Sequence, residues 1–578
     1  MSHAGGKGNK TGKGGKGGSG SKVGKSQRQS REIKRLVRTL ELQLLIRRAS
    51  LSHCALSQYM LAHCYYDRVG VEENSERALS LCIRAAEQGH LEAQLVLGAF
   101  YSSGRGVKHD SAKAFEWLQR AAEGGLADAQ GELGRWYEDG IAVECDEAKA
   151  FEWYFRAAEQ GDPWAQLSVA KAYNAGKVVE KDDSKCAEWT LKAALQGLVP
   201  AQVAIGYAYD LGLGVERDPK KAVEWYQKAI DSEEDPKALC YMGCSYISGL
   251  AVARDYEKAF GYIEQSALMG DPEGQFSLGQ CFKFGHGTEV DLQEALAWFM
   301  AAAMQGLPEA QVAVGRALER GEGISPNPQK AFASFLQAAE ADHPEGLAHA
   351  GLMYVQEKGV KQNRNKGLQF LRQSCEQDCA FGQFAMGLIC SDEELGPLEL
   401  EKAFEWFMRA AKQEFVEAQY EVAEAYYHGR GVKQDYNQAF EWYQKAAEHD
   451  YPNAIASVGE CYRTGRGVAK DLRLAAEWLQ RAADKHGDPD TLDALGECYY
   501  DGEGFEQDYK RAFEYFSLAA DIDNEHERAL FHIGRCHYHG HGVKQDSTQA
   551  VAWFRKSADL GYAEAIRAFD DCDYSGHH

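Results

Sequence analysis

AQLVLGAFYSSGRGVKHDSAKAFEWLQRAAEGGLAD, running from Ala93 to Asp128, decides the reading of the chain, because the pattern returns at a period of 36 residues. The glycine at Gly98 falls again at Gly134, Gly206, Gly243, Gly279, Gly315, Gly351, Gly387, Gly459, Gly496 and Gly534. The tryptophan of KAFEW, Trp117, returns at Trp153, Trp189, Trp225, Trp298, Trp406, Trp442, Trp478 and Trp553, so nine of the eleven tryptophans hold one repeat position. Self-similarity at a fixed period of this size is the signature of a stacked-repeat array.

Each part of the unit has a physical task. Ala93, Leu97 and Tyr101 fall at helical spacing and make one face of a first helix. Gly98 has no side chain, which lets a second helix approach. Gly104 ends the first helix, since glycine takes the left-handed conformation without strain. Gly106 and Val107 turn the chain and tuck one apolar side chain inward. Asp110 then caps a second helix by accepting from an unpaired backbone N–H. An Asp or Asn stands at this place in thirteen of fourteen units, from Asn74 to Asp546, with Glu399 the exception. Ala114, Trp117 and Ala121 line the second helix, and Gly125 closes it. One such pair cannot bury its own apolar face, whereas stacked pairs can. The expected fold is all-α: a solenoid of about fourteen 36-residue helix-turn-helix units. Trp117 and its counterparts are expected in the core, where truncation to alanine costs about 3–5 kcal/mol.

The pattern A-x(4)-G-x-x-Y-x-x-G-x-G-V-x(2)-D-x-x-K-A-x(2)-W-x(3)-A-A-x(2)-G resembles the Sel1-like repeat family, relatives of tetratricopeptide repeats. The resemblance runs from Ser57 to the C-terminus. It implies a right-handed α-solenoid that serves as an adaptor or scaffold, and it carries no catalytic residue to transfer. Some secreted relatives staple each repeat with a cysteine pair and have been linked to β-lactam hydrolysis. That paired spacing is absent here, which argues against a secreted β-lactamase-like hydrolase.

The fifteen cysteines show no regular pairing. Cys64, Cys281, Cys461, Cys498 and Cys536 share one helix position, and same-position residues of neighbouring repeats lie too far apart for a disulfide. They read as small buried side chains in a reducing compartment. A cytoplasmic location, with the nucleus as the alternative, is the expectation. No apolar run is long enough for a transmembrane helix, and the N-terminus lacks a secretory apolar core.

Charge divides the chain. Residues 1–50 hold 13 Lys/Arg and 2 Glu, a net of +11, which leaves −34 on residues 51–578. Residues 1–30 are Gly-, Lys- and Ser-rich, too polar to offset the entropy of ordering, and are expected to be disordered. Gly24-Lys25-Ser26 and the Gly12, Gly14, Gly17 spacing follow from glycine abundance, because no strand precedes either. Residues 31–50 are expected to form an amphipathic helix with the stripe Ile33, Leu36, Val37, Leu40 and Leu44 and the basic side Arg35, Arg38, Arg47 and Arg48. It reads as an N-terminal cap, with a partner-binding or membrane-surface helix as the alternative. The repeat array occupies residues 51–564, and residues 565–578 are expected to be a closing half-repeat and tail.

Some units depart from the pattern. Ser334 takes a tryptophan's place, and the adjacent Phe335 is expected to fill the space. Ser391 to Pro397 replaces one glycine turn with an acidic loop. One extra residue falls near Ser232–Asp235, and short insertions fall near His486 and Asn524. Cys536, His537, His539 and His541 form the densest metal-like cluster, yet ordinary repeat positions account for them. Cys240/Cys244 and Cys375/Cys379 are spaced for a helix face rather than as a C-x-x-C motif. No catalytic residue, cofactor or metal site is expected. The expected function is a protein–protein interaction scaffold that binds extended or helical segments, basic ones favoured by the acidic array. Nucleic-acid or anionic-membrane binding through residues 1–48 is the alternative.

Overall fold

The computed structural model describes residues 43–49, 54–66, 72, 74–104, 106–395 and 397–574, with side chains to 570. Among these residues there are twenty-nine helices from Ala55 to Tyr574, a helical stretch at 43–49, and no strand. The helices form fourteen consecutive pairs and a last helix, Ala563–Tyr574. In each pair a leading helix such as Leu91–Ser103 feeds a trailing helix such as Ser111–Glu123. The chain divides into two compact units, one ending at Gly270 with six pairs, the other starting at Asp271 with eight. Within each unit successive pairs pack on one another, as an all-α solenoid requires.

Local chemistry sets the helix ends. In thirteen trailing helices the Asp or Asn before the first turn accepts a backbone N–H, as Asp110 does from Lys113 at 3.1 Å. Glu399 makes no such cap and instead pairs with Lys402 at 2.8 Å, because its side chain is one methylene too long to turn back. Ten of the twelve prolines open a helix, where their missing N–H is no loss. Gly467, at φ 75°, sits so close to the Tyr436 carbonyl that a Cβ there would lie 1.9 Å from the oxygen. The turn glycine of one pair thus packs on the trailing-helix start of the pair before it.

The seam between the two helices of a pair corrects one expectation. The side chain that covers the repeat glycine is the residue after the tryptophan, twenty positions beyond the glycine. Phe335 is fully buried over Gly315, and Tyr226 over Gly206. Leu118 follows Ala114 by four residues and so shares its face toward the leading helix, whereas Trp117 is rotated about 100° away. The tryptophans are half-buried, except Trp225 at 8% exposure. Trp117 packs on Ala85, Ala86, Ala93 and Leu97, closing the joint with the preceding pair. Eight of the nine carry a Lys or Arg three residues on, with its cation 3.8–4.9 Å from the ring centroid. Trp298 has Ala301 at that place and no such cation.

Irregular units are absorbed simply. The three insertions, of one, one and two residues, go with trailing helices Pro219–Ser232, Leu472–Lys485 and Tyr509–Ile522 that are 14 residues long. The loop after Ala380–Ser391 is not purely acidic and exposed, because Leu395 packs against Ile389 and Leu371 in place of the usual valine. Phe335 does lie beside Ser334 in the seam, but it holds its own seam position there rather than the tryptophan's.

Candidate interaction surface

The seam side chain decides where the leading-helix face stays smooth. Over Gly206 the Tyr226 ring comes within 2.6 Å of a notional Cβ, and over Gly496 the Phe516 ring within 2.5 Å. In the first two pairs the seam residues are Cys82 and Leu118, which have no ring. At Gly98 the nearest Leu118 side-chain atom is its Cβ, at 3.8 Å. Two hollows open there. One, of about 150 Å³, lies between Tyr59, His63 and Tyr66 on one side and Val96, Ala99 and Phe100 on the other, above Cys82. The second, of about 490 Å³, is bounded by Leu95, Ala99, Leu118, Asp128, Glu132 and Trp136. Both include Ala99 and Ser103, so the two hollows adjoin across helix Leu91–Ser103 and make a two-part trough over the leading helices of the first three pairs. Its far edge is acidic. Helix Ala127–Asp139 carries Asp128, Glu132, Glu138 and Asp139 against Arg135 alone. Glu132 accepts from Trp136 Nε1 at 3.1 Å and pairs with Arg135.

Sequence reading missed a charged network on the leading helices of the last pairs. Asp493 is fully buried, with Oδ1 3.1 Å from His532 Nδ1 and Oδ2 3.1 Å from Arg528. Glu497 reaches Arg528 at 3.3 Å and His532 at 3.5 Å. The available signal was an Asp where other units place Leu95, Leu167, Val203 or Phe531. These are ion-pair distances without hydrogen-bond geometry, since neither Asp493 oxygen nor His532 Nδ1 has a hydrogen-bond partner, so the Arg528 guanidinium offsets the buried carboxylate by charge alone. His349 is a second buried titratable group. It stacks between Phe335 and Phe381 with centroids 4.4 and 4.1 Å away and accepts from Arg316 Nε at 3.2 Å. Burial, with the nearby Arg316, Arg320 and Lys358, holds its pKa well below the usual histidine range.

The clusters singled out in the sequence do not converge, apart from His539 and His541, whose rings stack at 5.2 Å. Cys536 is buried, His537 meets the Phe513 ring edge-on, and His541 stacks on Tyr509 at 4.0 Å with Tyr500 Oη 2.9 Å from its Nδ1. Among the described residues no three His, Cys, Asp or Glu side chains converge as a metal site. Cys240 is buried while Cys244 is exposed, and Cys375 and Cys379 are half-buried. Burial pushes the thiols of Cys82, Cys375, Cys461, Cys498 and Cys536 up to about 12, so they stay protonated at neutral pH. No helix among the described residues is long and apolar enough to cross a membrane. The tail at residues 1–30, with Gly12, Gly14, Gly17 and Gly24-Lys25-Ser26, lies outside the described residues, as does most of the 31–50 helix. Of its stripe only Leu44 is described, and it is 57% exposed. The contact with the first pair is made instead by buried Ala49, whose carbonyl accepts from Gln58 Nε2 at 3.4 Å.

Fourteen hairpins with a shared seam and no strand define a helical-repeat solenoid, a class whose members generally mediate protein–protein interaction. The chain belongs to the Sel1 repeat family, whose model matches fourteen times over residues 55–90, 91–126, 127–162, 165–198, 199–233, 236–271, 272–307, 308–343, 344–379, 380–415, 416–451, 452–486, 490–524 and 527–562. It is similar to the solved structure of a protective antigen of uropathogenic Escherichia coli strains displaying an SLR fold. Identity there is 31%, over 83% of this chain and 95% of that one, with a TM-score of 0.42. It is also similar to a Sel1 repeat protein from Oxalobacter formigenes, at 31% identity over 53% of this chain and 89% of that one, TM-score 0.39. A third similar structure is an immunity protein from Pseudomonas aeruginosa, at 19% identity over 38% of this chain and 83% of that one, TM-score 0.30. Comparison with curated proteins gives no match.

Proposed function

We propose that the protein is an interaction scaffold, an adaptor that holds an extended or helical segment of a partner protein along its leading helices, with basic segments favoured. The observation that supports this most is the net charge of −34 on residues 51–578, spread over an array of repeated helices. Leading helix Val416–His428, for example, bears Glu417, Glu421 and Glu424 and no Lys or Arg. Such a surface steers and selects basic partners more than it adds raw affinity. The protein acts by binding rather than catalysis, and its buried protonated thiols fit a cytoplasmic or nuclear setting. Capture of partners from native cells, followed by elution at rising salt, tests the reading. Retention indifferent to salt removes the electrostatic part, and no reproducible partner removes the scaffold.

The net +11 of residues 1–50 supports a second reading, in which residues 1–48 hold nucleic acid or an anionic membrane. Binding of duplex DNA and of anionic vesicles is compared between the full chain and a chain beginning at Leu51. Equally poor binding by both ends this reading.

A further inference from the structure

The trough of the first three pairs is apolar on its floor, acidic on its far edge, and left open by Cys82 and Leu118. We infer that it seats the chain's own residues 31–42, bound in cis as a helix with Leu36, Val37 and Leu40 toward the floor and Arg35 and Arg38 at the acidic edge. Four observations support this occupant. Ile33, Leu36, Val37 and Leu40 fall at helical spacing on one face, and an apolar stripe needs an apolar partner. The stripe's one described member, Leu44, is exposed, so at that position the first pair does not cover the stripe. The segment starts beside the first pair, because Ala49 accepts from Gln58 as Ala86 does from Gln94, which puts residues 43–49 in the place of a preceding trailing helix. Its charge is complementary: residues 31–42 carry four Lys/Arg and two Glu, and the edge helix carries Asp128, Glu132, Glu138 and Asp139 against Arg135.

Length permits it. Twelve residues make a helix of about 18 Å, and packed helices lie about 8–10 Å apart, so the segment crosses the two grooves between three leading helices. The inference needs no outside partner, so its failure leaves the scaffold reading untouched.

Hydrogen exchange of the full chain, read by mass spectrometry, tests it with two variants. Ala99→Trp fills the trough from an exposed position, and the double variant Leu36→Asp, Leu40→Asp removes the stripe without touching the array. Backbone amides of residues 31–42 are expected to exchange at least about tenfold slower in the wild type than in either variant, since loss of a docked helix opens its hydrogen bonds. Residues 91–103 are expected to lose protection in the double variant while the thermal midpoint of the array holds. Equal exchange of residues 31–42 in all three proteins overturns the proposal. Protection that vanishes on dilution overturns it too, because the occupant is then a second copy.

Discussion

Gln88 donates its Nε2 to the Oε1 of Gln58 at 2.8 Å, reaching back thirty residues from the end of a trailing helix to a fully buried glutamine of its leading helix. The relation recurs as Gln160 to Gln130, Gln196 to Gln166 and Gln413 to Gln383 at 2.7–3.0 Å. The buried glutamines at Gln94, Gln130 and Gln166 spend their own Nε2 on a carbonyl of the preceding trailing helix. Their Oε1 therefore depends on the second glutamine. Where the chain has Gly124, Ser232, Ala341 or His449 instead, Gln94, Gln202, Gln311 and Gln419 keep a buried Oε1 with no hydrogen-bond partner.

Ala341→Gln is expected to raise stability by about 1 kcal/mol, the net worth of one intramolecular hydrogen bond. The backbone is ready for it: Ala341 has φ −84° and ψ 12°, against −84° and 3° at Gln88. Gln88→Ala, which orphans Gln58, is expected to cost about 1–3 kcal/mol. Urea unfolding followed by helical circular dichroism measures both, and two changes of the same sign would refute the account.

Glycine at the seam is expected to respond unequally at two equivalent positions. Gly315→Ala would set a Cβ 2.5 Å from the buried Phe335 ring, and overpacking of this kind costs about 1–3 kcal/mol. Gly98→Ala meets only the Ala114 carbonyl at 3.2 Å and lies over the trough. There the gain of replacing glycine inside a helix, up to about 1 kcal/mol, largely offsets the contact. Thermal midpoints of the two variants decide, and equal losses would mean that the ring does not set the seam.

Phe407→Ala is expected to cost about 3–5 kcal/mol, and its neighbour Trp406→Ala less. Phe407 is 4% exposed over Gly387, whereas Trp406 is half-buried under Arg409 at 4.8 Å. Urea midpoints in the reverse order would restore the tryptophan to the core.

The architecture was legible because the unit repeats: helix starts at Asp110 and its counterparts, stops at Gly104, and pairing all follow from local chemistry that the sequence prints fourteen times. The tryptophan misled because a strongly periodic residue reads as core, although periodicity also marks a joint between pairs. One position of helix phase, about 100°, separates Trp117 from Leu118. The trough was not legible, since ringless seam residues also stand at Thr190, Ile263, Leu371 and Leu479, and only the side chains that surround Cys82 and Leu118 make a hollow there. The Asp493–His532–Arg528 network joins residues of two different pairs, and a single-unit pattern does not show it.

Glu357→Gly is expected to stabilise the chain by about 1 kcal/mol, the strain of a side chain in the left-handed region. Twelve leading helices have a described C-cap in that region, and eleven of these caps are glycine, while Glu357 holds it with φ 58°. A raised thermal midpoint supports this, and a lowered one would show that the Glu357 side chain contributes more than its backbone strain costs.

Acid should weaken the second unit through His349. Its folded-state pKa is depressed by burial between Phe335 and Phe381 and by Arg316, Arg320 and Lys358, while in the unfolded chain it stays near 6.5. Below that value the unfolded chain binds a proton that the folded one refuses, so stability falls with pH from about 6.5 down to the folded pKa. The slope approaches about 1.4 kcal/mol per pH unit. His526 works in the opposite sense: its hydrogen bond to Asp490 raises its pKa, and its contribution fades as pH rises. His349→Gln keeps an acceptor for Arg316 and removes the titration. Between pH 7 and 5.5 the wild type is therefore expected to lose about 1 kcal/mol more than this variant, read from paired urea curves. Parallel losses in the two proteins would mean that His349 takes up its proton while folded.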